Sequence, residues 1–208
     1  PDYIDARLSL AAMLLDLQDT DTAIQQALQV LRRDPRNSLA YSHLAHAYPL
    51  AENFEESARM ARRSIELDAT TAQAYLWLAE TLRWSASQDK GGQRIKTLAA
   101  ARENYWKYLR MTDFEAKPHE KVMYYLFSTP FTNLFSKRRP SQLAVFRDLR
   151  GLGFFGLCVC EQNSDNFSQA VQYCERALKY SQNDPYTWFQ LGTVHADRYN
   201  VTSDCRSI

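Results

Sequence analysis

The chain has 208 residues, 45% of them hydrophobic, which is enough for a packed core, and its formal net charge of +1 argues against nucleic acid as the main ligand. No run approaches the ~18 apolar residues of a spanning helix, so no membrane insertion is expected. Only six glycines and seven prolines occur, which leaves helix possible throughout.

Residues 4–37 read as a helical hairpin. Leu10, Ala11 and Leu14 mark the packing face of a first helix from about Asp2 to Leu17. Gln18 to Asp21 make the turn, and Thr20 or Asp21 caps a second helix that starts near Thr22. Ala23, Ala27 and Val30 form its packing row, and Pro35 forbids its continuation. Residues 38–71 repeat the pattern 34 residues on, with Tyr41, Leu44, Ala45 and Tyr48, then Phe54, Ser57, Ala61 and Ser64. Pro49 is expected to end or bend that first helix near Tyr48. In 72–115, Tyr75, Leu78, Ala79 and Leu82 return in register. This unit carries ten extra residues around Gly91-Gly92, and its second row is Ala101, Tyr105 and Tyr108.

Residues 116–150 fill one degenerate slot. A helix from Pro118 through HEKVMYYLF ends at Thr129-Pro130, an irregular stretch follows, and SQLAVFRDLR is a short second helix capped by Ser141. Residues 151–184 resume the pattern with Phe154, Leu157 and Cys158, a turn at Asn163–Asn166, then Phe167, Ala170, Cys174 and Ala177. A last helix, 185–200, places Trp188, Leu191 and Gly192 on the same row without a partner helix. It reads as a cut repeat rather than a cap, and the chain as part of a longer protein.

This 34-residue period, its alternation of large and small positions and the joint Asp34-Pro35-Arg36-Asn37 resemble the tetratricopeptide repeat (TPR) family. The resemblance implies an all-α fold, a right-handed α-solenoid of TPR-like helix hairpins. It would run through 1–208 as a single array, with the third repeat expanded and the fourth degenerate. It also implies a non-catalytic scaffold whose first helices line a concave groove for a partner peptide or helix. On the family's layout that groove would present Leu8, Leu15, Ser42, His46, Leu50, Leu76, Glu80 and Trp84, then Phe155, Val159 and Phe189. Asp5, Ala12, Leu39, Gln73 and Arg83 would share the face. The family's chaperone-tail subgroup uses Lys and Asn to clamp a carboxylate. Leu8, Ala12, Ser42, His46, Leu76 and Glu80 stand there, so Hsp70/Hsp90 tail binding is disfavoured. The asparagine ladder of the sugar-transferase subgroup is also missing, with Ser9, His43, Trp77, Gly156 and Gln190 on that row. The alternatives are a spacer or assembly arm in a multi-subunit complex, and a regulatory domain of an enzyme lying outside this chain.

No catalytic or cofactor motif emerges. His43-x-x-His46 are neighbours on a helix, but zinc needs three or four ligands and no further one is evident, so no metal is expected. Lys137-Arg138-Arg139 reads as a solvated loop, and with Ser141 it also makes a possible phosphorylation site. Cys158 and Cys160 are too close in sequence for a typical zinc pair, and Cys174 falls on the small-residue row. With Cys205 these four read as buried or incidental thiols rather than a disulfide framework, which favours a reducing, cytoplasmic setting.

Overall fold

The computed structural model describes residues 3–89, 92–112 and 140–204, and every regular element among them is a helix. None of these helices is long and apolar enough to cross a membrane. The chain forms two compact units, Pro1–Tyr108 and Leu109–Ile208.

The first unit stacks hairpins as an α-solenoid. Helices α1 (Ile4–Asp16) and α2 (Thr20–Arg33) make the first, α3 (Ser38–Leu50) and α4 (Phe54–Leu67) the second. The third pairs α5 (Ala72–Gln88) with α6 (Arg94–Met111), which carries the unit to its boundary. Each helix packs on its chain neighbours from α1 to α5, and the first helices α1, α3 and α5 also lie side by side. Small residues make the close approaches: Ala11, Ala27, Ala45 and Ala61 are essentially solvent-free. Ala45 and Ala61 pack with Ala58 and Leu78, while Met60, Ile65, Trp77 and Leu82 fill the margin. Ala101, Tyr105 and Tyr108 of α6 are buried as their row required.

The turn inside a hairpin is built the same way three times. The amides of Asp19, Asn53 and Asn166 reach back to the carbonyls of Leu14, Tyr48 and Glu161, each at 2.9 Å. To make this bond the preceding residue turns left-handed, with φ of 61° at Gln18, 58° at Glu52 and 59° at Asp165. Asp19 and Asn53 then accept from the amides of Thr22 and Glu56, so one residue closes one helix and caps the next. The first cap is therefore Asp19, not Thr20 or Asp21, because its carboxylate reaches an orphan amide of a helix that already begins at Thr20. A side chain is disfavoured at such φ, so Gln18→Gly should raise stability by about 0.5–1 kcal/mol in urea unfolding.

As expected, α3 ends close to Tyr48, at Leu50, with Pro49 in its last turn. Proline cannot donate to the carbonyl of Ala45, one turn back. That carbonyl instead accepts from the Ser57 hydroxyl at 2.7 Å, and Ser57 Oγ lies 2.6 Å from Thr81 Oγ1. The Ser57 proton thus fills the gap from the neighbouring helix, while Thr81 Oγ1, within reach of both Ser57 Oγ and the Trp77 carbonyl at 2.8 Å, has one proton to give to either.

The second unit contains α7 (Pro140–Gln162), α8 (Phe167–Tyr180) and α9 (Pro185–Asp204). The expected break between a short helix ending near Arg150 and a new one from Gly151 is absent, and α7 runs through both. No proline interrupts that junction, and glycine inside a helix costs only about 1 kcal/mol. Gly151 has a packing reason to be there, since a Cβ would lie 3.0 Å from Ser181 Oγ and 3.5 Å from Tyr180 Cβ. Ser141 consequently falls in the first turn of α7 rather than at its cap. The run Lys137–Arg139, the helix expected from Pro118 and Cys205 lie outside the described residues.

One expectation is overturned outright. Cys158 and Cys174 are joined by a disulfide, with Cα atoms 5.3 Å apart. Their positions on α7 and α8 are the small-residue pair of the repeat, and a Cα separation of 5.3 Å is what a disulfide needs. Cys160, also on α7, is buried.

Candidate peptide-binding face

The first helices of the first unit carry the predicted groove residues, and the repeat register sorts them by access. Leu8, Ser42 and Leu76 share one register, and all three are buried. Leu8 packs with Val30 and Ala40, and Leu15 with Ala23 and Ala47. Side-by-side first helices consume this part of the face in holding each other. His46 is half-buried and stacks on Trp77 of α5, with ring centroids 3.7 Å apart and planes 6° from parallel. Two registers remain open: Asp5, Leu39 and Gln73 near the start of each first helix, and Asp16, Leu50 and Trp84 near its end. Leu39, Leu50 and Trp84 are 43%, 48% and 45% exposed and make these two registers apolar surface. In the second unit Phe155 and Val159 are half-buried and Phe189 is exposed.

Glu80 is occupied from within. Its Oε2 accepts from Arg83 Nη2 at 2.7 Å and its Oε1 from the Tyr105 hydroxyl at 2.7 Å. Arg83 Nε closes the ring by donating to Tyr105 Oη at 3.2 Å. Burial works against the charge on Arg83, but Glu80 and Tyr105 beside it hold its pKa above the ordinary value. The guanidinium also lies 5.1 Å from the centroid of Trp84, and the Phe54 ring stacks on the same indole at 6.2 Å. The triad thus holds Arg83 beside the exposed tryptophan. Sequence reasoning gave Glu80 a ligand-facing role and missed the triad, although Glu80 and Arg83 are one helical turn apart.

Burial lowers the pKa of both His43 and His46 to about 4, and for His46 the neighbouring His43 adds to the effect. Neutral rings are therefore the folded form. Below pH about 6.5 the unfolded chain takes up these protons first, so stability should be lost progressively from there to about pH 4. The rings keep part of their hydration, so the loss should be roughly 1–3 kcal/mol for the pair. Urea midpoints against pH should show it, and His43→Gln/His46→Gln should flatten the profile in that window.

Among the described residues no group of three or more His, Cys, Asp or Glu is placed to hold a metal ion.

The stacking of first helices beside one another, with second helices behind them, is shared with solved structures. A thermophilic TPR protein of Thermus thermophilus matches with a TM-score of 0.52 and 12% identity, over 93% of this chain and 99% of that one. The chain has the TPR fold. The pilF protein of Pseudomonas aeruginosa matches with a TM-score of 0.63 and 16% identity, over 95% of this chain and 70% of that one. No protein-family model matches the sequence, and no curated protein matches it significantly. The similarity is one of TPR architecture.

Proposed function

We propose that the chain is a non-catalytic protein-interaction scaffold whose first unit binds a partner peptide or helix on the face of its first helices. The observation that carries this reading is the repeated opening at one TPR register, where Leu50 and Trp84 stand 48% and 45% exposed. Trp84 is in contact with both Arg83 and Phe54, so it loses less freedom on binding than an unsupported side chain. The partner is apolar at the residues that meet Leu39, Leu50 and Trp84, in the manner of an amphipathic helix or an extended segment.

The test is selection of ligands from a displayed peptide library on the wild-type protein. Their affinity is then measured on Leu50→Asp/Trp84→Ala, with helicity and unfolding midpoint checked. A loss of at least about tenfold, near 1.4 kcal/mol, is expected with both checks unchanged. Undiminished affinity would remove the reading. A second reading, an assembly arm, draws on α9, where Tyr186, Trp188 and Phe189 are 76%, 55% and 73% exposed. Under it, selected ligands would bind the double variant normally and lose affinity on Trp188→Ala/Phe189→Ala. The cytoplasmic expectation, which rested on unpaired cysteines, loses that support to the Cys158–Cys174 bridge.

A further inference from the structure

The second unit departs from the first at the point where the helices of a hairpin cross. In α3 and α4 that point is held by Ala45 and Ala61, both fully buried. One period back, Ala11 and Ala27 hold the same register with the same burial. In α7 and α8 the two positions are Cys158 and Cys174, covalently joined across a sequence separation of 16. Ala170 and Val194 close over the bridge, and Phe167, Val171, Tyr173 and Leu191 pack around them. Val194 and Leu191 belong to α9, so the last helix rests on the bridged crossing.

Bonded sulfurs sit about 2 Å apart, whereas unbonded heavy atoms need roughly 3.5–4 Å. Two thiols therefore demand more room than the bridge, in a slot that elsewhere admits only two methyl groups. We propose that Cys158–Cys174 is a redox-sensitive lock on this unit, closed as the disulfide and loosened as the dithiol. In the step, one S–S bond breaks and two cysteine S–H groups form. A dithiol reductant supplies the two electrons and two protons and becomes its own disulfide. Loss of the crosslink frees the α7–α8 crossing, and α9 loses the firm floor beneath Val194 and Leu191. Both cysteines are fully buried, so the reductant reaches them through local opening, and the lock turns over slowly in the folded protein.

Hydrogen exchange on the whole chain, with and without dithiothreitol, tests the lock. Alkylation of the unreduced, denatured protein should label neither Cys158 nor Cys174 and should yield a peptide pair joined by them. Reduction should then speed amide exchange in α7, α8 and α9 by on the order of a hundredfold, and leave α1 to α4 unchanged. Cys158→Ala/Cys174→Ala restores the alanine pair of the other hairpins and should respond to dithiothreitol nowhere in α7 to α9. Alkylation of Cys158 or Cys174 without reduction would overturn the proposal. So would equal exchange of α7 to α9 in the oxidised and reduced wild-type protein, whatever the double variant does.

Discussion

Glu80→Ala should cost about 3–5 kcal/mol in urea unfolding, because it leaves Arg83 buried beside Tyr105 without a counter-charge. The carboxylate and guanidinium side chains are only 11% and 14% exposed, so water can compensate little. The cost comes from breaking the pair, not from the worth of the pair itself. Replacing all three by apolar residues of similar volume, Glu80→Leu with Arg83→Met and Tyr105→Phe, should therefore come out near wild type. A loss under 1 kcal/mol for Glu80→Ala would contradict the enclosed triad. There is a functional consequence. Arg83 also braces Trp84, so weaker ligand binding by Glu80→Ala would report a disturbed scaffold, not a lost contact to the ligand.

Ser57→Ala is expected to cost about 1–3 kcal/mol, the penalty for a buried carbonyl left without a donor. The deprived group is the carbonyl of Ala45, which Pro49 cannot serve. Pro49→Ala supplies the missing amide within the helix. A double-mutant cycle should therefore show coupling: Ser57→Ala should cost clearly less in the Pro49→Ala background. Additive effects would mean that the hydroxyl is not standing in for the lost N–H.

The solenoid was legible because its signal is local and repeated. Ala11, Ala45 and Cys158 recur at one position, where the helix crossing is filled by a small, fully buried side chain each time. Helix ends were less legible. Asp19, Thr20 and Asp21 are all good caps, and the choice follows from where the Gln18 turn leaves the chain. Pro49 reads locally as a stop, and α3 ends one residue beyond it, but the Ser57 hydroxyl that satisfies the Ala45 carbonyl comes from another helix and has no local signal. The junction at Gly151 reads as a boundary and proves to be a close approach. The Cys158–Cys174 bridge had a signal, since both residues align with alanines that face each other, but composition outweighed it. At the face itself, the family layout placed Leu8, Ser42 and Leu76 toward a ligand. Side-by-side packing of first helices covers that register and leaves Leu39, Leu50 and Trp84 open, and sequence spacing alone does not separate the two.

The claim that these open positions form the binding face is tested most directly by the footprint of a selected ligand. Hydrogen exchange of the complex against the free protein should show protection at the ends of α3 and α5 around Leu50 and Trp84. Protection confined to α9, with α3 and α5 unchanged, would contradict it.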